Sequence, residues 1–480
     1  MDFLQNITNI MLPEMTIVAF ILLQIILSMF LDMKFYKLAK WLTVLGIFLA
    51  TSLCTKVQIE PIYYGFKNAI ISDNYTIFFK GLILISSFLI VFLTKKTISS
   101  RRNSAFQFNA LILTVILGAL TLVSANDFLT MFISMETLGF AMFFLIAFDK
   151  GFKSKEATFK YLIISAVASS IFLFGVSYLY GITGHLNFSL IYEYFLEKNP
   201  TLLYSMAAIF ITCGLTFKLG VIPFANWILD IYEDASTSVV TLLSIVPKVA
   251  MFGILARLLV FPLSYSFELT FVLVLIAVVT AIWANVLAIR QKNIKRLLAC
   301  SSSANAAYVL FTVSLVSVFN LSTVLFYLVA YIFMNIGVFA AVIILESSEF
   351  SNKLYEFKNF AYTNPVFTLC FATCILGLAG FPITAGFISK IYLFSAIARS
   401  GLVFLPFLIV LMITIVVSVY YYLRVVKFMF EKSDTVESEV IAHKTSSAIV
   451  ILYCCASITI ILGIFPSKII ELCQFMAYNI

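Results

Sequence analysis

Long apolar runs separated by short polar loops fill this chain from one end to the other. Fourteen of them approach the roughly 20 residues that an α-helix needs to cross a bilayer. The runs are 11–30, 38–56, 77–94, 106–124, 128–148, 159–180, 202–228, 237–260, 267–289, 296–318, 321–345, 365–398, 403–429 and 446–470. The pattern predicts an all-α polytopic membrane protein with about fourteen transmembrane helices.

The basic residues fall into clusters, and each strong cluster follows an odd-numbered apolar run. The clusters are Lys34, Lys37 and Lys40, then Lys95, Lys96, Arg101 and Arg102, then Lys150, Lys153 and Lys155, then Arg290, Lys292, Lys295 and Arg296. The loops after the second, fourth, sixth and tenth runs are neutral or acidic. Because basic loops remain in the cytoplasm, we expect both chain termini on the opposite side of the membrane.

The seventh and twelfth runs are unusually long, and glycine and proline interrupt both of them. The interrupting residues are Gly214, Gly220 and Pro223 in one and Gly377, Gly380, Pro382 and Gly386 in the other. Paired broken helices in corresponding halves of a transporter indicate an inverted repeat with an ion site at the breaks. We therefore expect helices 1–3 at 1–105, a first five-helix repeat at 106–260, a second, inverted repeat at 261–430, and a loop with helix 14 at 431–480.

Composition agrees with a membrane protein and excludes several other classes. Of the residues, 62% are hydrophobic and 11% charged, against about 25% charged in a soluble domain. The net charge of +8 comes from loop clusters and does not indicate nucleic-acid binding. The eight cysteines lack metal-ligand spacing, and no phosphate loop or dinucleotide fingerprint is present. We expect no metal or cofactor site in this chain, and a first helix that is retained rather than cleaved.

Four ionisable residues stand out in the middle of apolar runs: Glu136, Lys218, Lys248 and Lys390. A charge at the centre of a bilayer costs roughly 2.5 to 3.5 kcal/mol on insertion scales, so such residues usually have a function. Desolvation favours a neutral lysine, whereas a nearby carboxylate favours the protonated form. A Lys218–Glu136 pair with variable separation would act as a proton switch. The alternative is a static ion pair that ties two helices together.

Position within the run suggests a role for each of the other two lysines. Lys248 follows Pro247 near the middle of its run, too deep to reach the interface easily. Lys390 lies one helical turn beyond Gly386, where it can reach carbonyl groups freed by the break. A further group, nearer the predicted helix ends, is expected to be solvated or interfacial: Glu156, Lys160 and Arg257.

Four stretches resemble the antiporter-like membrane subunits of respiratory complex I, a family related to sodium/proton antiporter and membrane-bound hydrogenase subunits. They are TFKLGVIPFANWILDIYEDASTSVV at 216–240, PKVAMFG at 247–253, NIKRLLACSSSANAAY at 293–308 and GFPITAGFISK at 380–390. The resemblance covers roughly residues 110–430. With a lysine at position 390 and an end after the fourteenth helix, the chain is most similar to the N-type subunit of a bacterial NADH-quinone oxidoreductase.

This resemblance implies a proton relay in which Glu136 pairs with Lys218, Lys248 is the central lysine and Lys390 the terminal one. It implies outward proton pumping driven by electron transfer from NADH to quinone in partner subunits that carry FMN and iron–sulfur clusters. Neighbouring antiporter-like subunits are implied partners, and Glu136 would sense one of them. The implied location is a bacterial inner membrane, with both termini periplasmic.

Five positions depart from the pattern of that family. Ala225 and Asn305 stand where the family has histidines, Cys300 where it has a tyrosine, and Ser236 and Ser238 where it has prolines. Because asparagine does not titrate near neutral pH, we expect a water chain past Asn305 in place of a histidine relay. A sodium/proton antiporter subunit without electron transfer, or a solute permease, remains an alternative function for the same broken helices.

Overall fold

The computed structural model describes residues 10–31, 35–54, 62–94, 104–148, 151–348, 351–432 and 446–479, and these form nineteen α-helices. The first nine are α1 Leu12–Phe30, α2 Tyr36–Cys54, α3 Asn74–Leu93, α4 Ala105–Ser124, α5 Phe128–Ala147, α6 Phe152–Thr183, α7 Phe188–Glu197, α8 Leu202–Leu219 and α9 Trp227–Asp234. The others are α10 Thr237–Val260, α11 Phe267–Arg290, α12 Ile294–Ser314, α13 Val318–Ser347, α14 Phe360–Thr363, α15 Pro365–Ala379, α16 Ala385–Arg399, α17 Leu405–Phe430, α18 Ser446–Ile464 and α19 Ser467–Tyr478.

The predicted all-α membrane architecture is confirmed. Thirteen helices of the described ranges are long and apolar enough to cross a membrane. The predicted run 365–398 is the fourteenth, and a break divides it into α15 and α16. Several of the basic residues that orient the chain lie outside the described residues: Lys34, Lys95, Lys96, Arg101, Arg102 and Lys150.

One small antiparallel hairpin, which the apolar pattern did not predict, precedes α3. Its strands are β1 Tyr63–Gly65 and β2 Ile70–Ser72, with Tyr64 opposite Ile71. Asp73 follows directly and caps α3, since its carboxylate accepts a hydrogen bond from the backbone N–H of Thr76 at 2.7 Å. The hairpin therefore fixes the point at which α3 enters the helical bundle.

The centre of the molecule is formed by α10, α12 and α13. The apolar windows of α10 and α12 are buried throughout, whereas only 22% of the residues in that of α1 are buried. A helix that is apolar all round belongs in the interior of a bundle. Small residues allow close approach there, as where a Cβ added at Gly253 of α10 would lie 2.9 Å from the ring of Phe79.

The two broken helices end their first halves in the same way. Gly220 and Gly380 both adopt the left-handed conformation, with φ of 69° and 83°. The backbone N–H of Gly220 donates to Phe217 O, and the next N–H donates to Thr216 O. Gly380 and Phe381 make the corresponding pair of bonds, to Gly377 O and Leu376 O. Both ends are thus Schellman motifs, which need a residue without a Cβ at the left-handed position.

Candidate functional site

Lys218 lies in the last turn of α8, just before Gly220 ends that half of the broken helix. The side chain is buried, and its Nζ donates no hydrogen bond to any described residue. The amino group lies against Gly139 of α5, where an added Cβ would come within 2.5 Å of Nζ. The structure therefore places the amino group of Lys218 between α5 and α8, with no hydrogen-bond acceptor among the described residues.

Glu136 is half-buried on α5, one helical turn before Gly139. Its Oε1 accepts a hydrogen bond of 2.6 Å from the hydroxyl of Ser169 on α6. The predicted partners Glu136 and Lys218 are thus brought into the same layer, but no hydrogen bond joins them. Among the described residues, the Glu136 carboxylate accepts only this one side-chain hydrogen bond. A modest movement of either side chain could therefore bring the carboxylate into contact with the Lys218 amino group.

Three aromatic rings close the space beside Lys218. Tyr161 of α6 lies 5.2 Å from the ring of Phe217 and 4.8 Å from that of Trp227, measured between centroids. The indole Nε1 of Trp227 is buried and has no acceptor among the described residues. Lys218 and Trp227 therefore contribute two buried donors to one aromatic-walled layer, and buried donors need acceptors such as water.

Lys248 lies at the middle of α10, directly after the helix-internal Pro247. Its Nζ donates to both oxygens of Ser302 on α12, at 3.0 Å to the carbonyl and 2.6 Å to the hydroxyl. The Ser302 hydroxyl lies 3.1 Å from the hydroxyl of Tyr232 and 3.0 Å from that of Tyr331. The described partners of Lys248 are thus neutral oxygens.

Two consecutive serines of α12 connect the sites of Lys218 and Lys248. Ser302 binds Lys248, while the hydroxyl of Ser303 donates to the carbonyl of Gly220 at 2.8 Å. Gly220 is two residues beyond Lys218 and carries the freed carbonyl at the break of the helix. Through this serine pair, α12 contacts both the break of α8 and the central lysine.

Asn305 lies one turn further along α12, and the structure shows what holds it. Its Oδ1 accepts a hydrogen bond of 2.9 Å from Tyr327, and its Nδ2 lies 3.5 Å from the hydroxyl of Ser301. Lys248, Asn305, Tyr327 and Tyr331 share the wall of a cavity of about 10 Å³. That size is near the lower limit for a single water molecule.

A chain of hydroxyl and amide groups continues from Asn305 across three helices. Ser301 makes a short hydrogen bond with Tyr422 of α17, whose ring lies 4.5 Å from that of Tyr421. Tyr421 donates to Asn285 of α11 at 3.2 Å, and Asn285 donates to Tyr308 at 3.2 Å. The Nζ of Lys390 lies 5.8 Å from the centre of the Tyr308 ring. Apart from this last step and the contact between the two tyrosine rings, the chain consists of hydrogen bonds.

Lys390 lies in α16, the second half of the other broken helix. Its Nζ donates to the carbonyls of Leu378 and Ala379, at 2.7 and 2.9 Å. These carbonyls belong to the last turn of α15, whose helical hydrogen bonds stop at the break. The expected contact of Lys390 with freed carbonyl groups is therefore confirmed.

Two buried ion pairs escaped the sequence analysis. The guanidinium of Arg257 binds both carboxylate oxygens of Asp73, at 3.1 and 2.8 Å, and the prediction that Arg257 is solvated or interfacial is wrong. Lys80 lies 2.8 Å from Glu14, and both side chains are 1% exposed. Lys80 occupies an apolar run just as Lys218 does, so the same criterion would have found it.

The other positions that the sequence analysis singled out differ in their burial. Lys160 is exposed and pairs with Glu156 and Asp230, as expected for a solvated residue. Ala225 is buried at the break before α9, and Cys300 is buried within α12. Ser236 precedes α10 and Ser238 lies in its first turn.

The comparisons place this architecture among known proteins. The family model described as NADH:quinone oxidoreductase/Mrp antiporter, TM, matches residues 125–418. The chain is 34% identical to NAD(P)H-quinone oxidoreductase subunit 2 of Synechococcus elongatus over 447 residues, 92% of this chain and 85% of the relative. It is 33% identical to NADH-quinone oxidoreductase subunit N 2 of Rhizobium meliloti over 445 residues, 92% and 91% of the two chains.

Two solved structures have the same fold as this chain. A chain of respiratory complex I from Thermus thermophilus superposes with a TM-score of 0.81 at 25% identity, covering 96% of this chain and 99% of that one. A chain of the Mrp complex from Dietzia shares the fold, with a TM-score of 0.83 at 16% identity over 97% and 96% of the two chains. The chain therefore belongs to the NADH:quinone oxidoreductase/Mrp antiporter transmembrane family, among the complex I antiporter-like subunits that include subunit N.

Proposed function

We propose that this chain is a proton-translocating module of an NADH-quinone oxidoreductase. A proton from the cytoplasm reaches Lys218, passes to Lys248 by way of the serine pair of α12, and leaves towards the outside by way of Lys390. Glu136 sets the proton affinity of Lys218 by approaching it or withdrawing from it. The chain itself carries no redox group in this scheme.

The observation that carries the proposal is the line of polar groups between Lys248 and Lys390. Such groups are expensive inside a membrane protein unless they are hydrogen-bonded. Here they are hydrogen-bonded to one another, apart from the contact between the rings of Tyr421 and Tyr422 and the step from Tyr308 to Lys390. Hydroxyl groups can both donate and accept a hydrogen bond, so a proton can pass through them and through an intervening water molecule. A purely structural core of α10, α12 and α17 would be built at lower cost from leucine and valine.

The chemistry of these groups favours a proton over sodium. The Lys218 layer offers the buried donors Lys218 Nζ and Trp227 Nε1, whereas a sodium ion needs oxygen ligands. At Lys248 and Lys390 the available oxygens already accept hydrogen bonds from the lysines. Three successive lysine amines can each bind and release a proton, whereas a protonated amine offers no ligand to a sodium ion.

The driving force would come from partner subunits. The relatives are named as subunits of NAD(P)H-quinone and NADH-quinone oxidoreductases, and we assign NADH oxidation, FMN, iron–sulfur clusters and quinone reduction to partners of this chain. Glu136 is half-buried, and Ile133 and Phe140 beside it on α5 are exposed. This face of α5 suits contact with a neighbouring antiporter-like subunit, which could then move the Glu136 carboxylate.

Proton uptake by proteoliposomes that contain the purified complex tests the proposal. With choline in place of sodium, NADH oxidation should still acidify the vesicle lumen, and Lys248→Met should reduce the ratio of protons to electrons. Lys198→Met, which changes a lysine stacked on Tyr194 near the surface, is the matched control. Proton movement that stops when sodium is omitted, together with transport of radioactive sodium when sodium is present, would instead favour the antiporter alternative.

A further inference from the structure

A second carboxylate–lysine pair lies outside the region that the family model matches. Glu14 of α1 and Lys80 of α3 are 2.8 Å apart, and both are 1% exposed. The Nζ of Lys80 has one further acceptor among the described residues, the carbonyl of Ile10 at 3.4 Å. Neither oxygen of the Glu14 carboxylate makes a hydrogen bond to a described group, and the ion pair with Lys80 is its polar contact in the described part of the chain.

A structural ion pair on the same helix provides the comparison. Asp73 receives two bonds from the Arg257 guanidinium and two more from the backbone N–H and hydroxyl of Thr76. The Tyr75 ring lies 5.4 Å from the guanidinium carbon. The carboxylate of this pair is saturated with hydrogen-bond donors, and arginine does not deprotonate in proteins.

The Glu14–Lys80 pair has neither property. A buried ion pair recovers its desolvation cost only when further hydrogen bonds satisfy both groups, and here the bond between the two is nearly all that holds them. Transfer of one proton from Lys80 Nζ to Glu14 Oε1 would give a neutral amine and a carboxylic acid at the same 2.8 Å contact, with no net change in the charge of the pair. The two groups can thus exchange a proton without losing other contacts, which the Asp73–Arg257 pair cannot do.

Few titratable groups lie on the helices around the pair. On α10, which packs against α3, the charged residues are Lys248 and Arg257, and Arg257 is paired with Asp73. The sequence of α4, which packs against α1, contains no Asp, Glu, Lys, Arg or His. Cys54 at the end of α2 is the neighbouring titratable group, and its Sγ lies 3.9 Å from the carbonyl of Ile77 on α3. On α19, which also contacts α3, Lys468 and Glu471 are exposed to the surroundings.

The position of α3 connects this pair to the central lysine. Tyr75 donates to the carbonyl of Gly253 on α10 at 2.9 Å, and the Asp73–Arg257 pair ties the same two helices. Lys248 lies five residues before Gly253 on α10. A movement of α3 that follows a charge change at Lys80 would therefore reach the helix that carries Lys248.

We propose that Glu14 and Lys80 form a second proton-exchanging site, which takes up and releases a proton as α1 and α3 move during turnover. The inference rests on the proposed function and extends it to α1 and α3, which carry none of the three lysines of the Lys218–Lys248–Lys390 path. Its test is separate, because the described polar contacts of Lys80 are to Glu14 and to the carbonyl of Ile10 and not to those lysines.

The decisive variant is the double substitution Glu14→Leu with Lys80→Met in the intact complex. Replacing both members of a buried pair by apolar residues is usually neutral for stability, whereas removing one member is not. We expect the double variant to assemble and to transfer electrons at the wild-type rate, with a loss in the ratio of protons to electrons. The matched control is Glu431→Leu with Lys358→Met, which removes a partly exposed lysine–carboxylate pair of the same 2.8 Å separation. It should assemble and leave that ratio unchanged.

A second measurement addresses the protonation directly. Redox-induced infrared difference spectra of the complex should contain a carboxylic acid carbonyl band that disappears in Glu14→Gln. The proposal would be overturned if the apolar double variant kept the wild-type proton-to-electron ratio and Glu14→Gln left the spectrum unchanged. The pair would then serve only to hold α1 against α3. Normal pumping by Lys218 variants, in contrast, would refute the main path and leave this site standing.

Discussion

The amino group of Lys218 lies directly against Gly139, so that a Cβ added there would approach Nζ to 2.5 Å. Glycine at this position therefore creates the space in which the lysine sits, one helical turn from Glu136. A larger residue would push the amino group away from the carboxylate and towards the rings of Phe217 and Trp227. The distance between the Lys218 amino group and the Glu136 carboxylate thus depends on the lack of a side chain at position 139.

Gly139→Ala should uncouple the complex without unfolding it. The methyl group displaces the Lys218 amino group by about an ångström, and a misplacement of that size can cost on the order of a hundredfold in a positioned reaction. We expect proton uptake per electron to fall at least about tenfold. Gly81→Ala is the control, because its added Cβ meets no atom within 4 Å. Equal loss in both variants would assign the effect to helix propensity instead.

Lys218→Ala should nearly abolish pumping by the assembled complex, since it removes the switchable amine. Lys218→Arg should fail as well, because arginine keeps the charge but does not deprotonate in a protein. The measurement is proton uptake by proteoliposomes, normalised to NADH oxidation by the same preparation. Wild-type stoichiometry in a correctly assembled Lys218→Arg variant would show that the lysine has a structural role.

Asn305 tests whether the path needs a polar group or a titrating one. Asn305→Leu should slow pumping, because it removes the acceptor for Tyr327 and makes the wall of the cavity beside Lys248 apolar. Asn305→His should be tolerated or faster, and Asn305→Gln should lie between the two, since its amide is kept but displaced. Proton uptake normalised to electron transfer is compared across the series. Equal rates for leucine and asparagine would mean that the proton does not pass Asn305.

Tyr422→Phe should interrupt the line between Asn305 and Asn285 while leaving the packing of α17 in place. Loss of the hydroxyl leaves Ser301 without this partner, and an unsatisfied buried polar group costs about 1 to 3 kcal/mol. Pumping should decrease more than assembly does. Tyr420→Phe, on the exposed side of the same helix, should behave like wild type. Similar behaviour of the two variants would move the path away from α17.

Both termini should lie outside the cytoplasm, because the basic loops follow odd-numbered spans. Alkaline phosphatase fused after Ile480 should be active in whole cells, whereas a fluorescent protein that folds only in the cytoplasm should stay dark at the same position. Bright fluorescence from that fusion would contradict the fourteen-helix topology. A fusion in the loop after Arg290, which is expected to be cytoplasmic, is the control with the opposite outcome.

The sequence by itself determined the spans, the two breaks and four of the buried ionisable residues. Apolar runs of membrane length admit one secondary structure, because lipid cannot satisfy backbone polar groups. Gly220 and Gly380 mark the left-handed ends of the first half-helices. A lysine in an apolar run costs enough free energy on insertion into a bilayer that its presence indicates a function. Lys80 also lies in an apolar run, so its burial could have been predicted from the sequence by the same criterion.

Only the tertiary structure decided which groups meet. Helices such as α10 and α12 are apolar all round, so their sequences carry no periodic signal of which face meets which neighbour. The partners of Lys248 and Asn305 therefore could not be read from spacing, and Arg257 was misassigned because Asp73 lies 184 positions away in sequence. Where interior and lipid are equally apolar, the pairing of polar groups is fixed by helix packing, which depends on small residues such as Gly139.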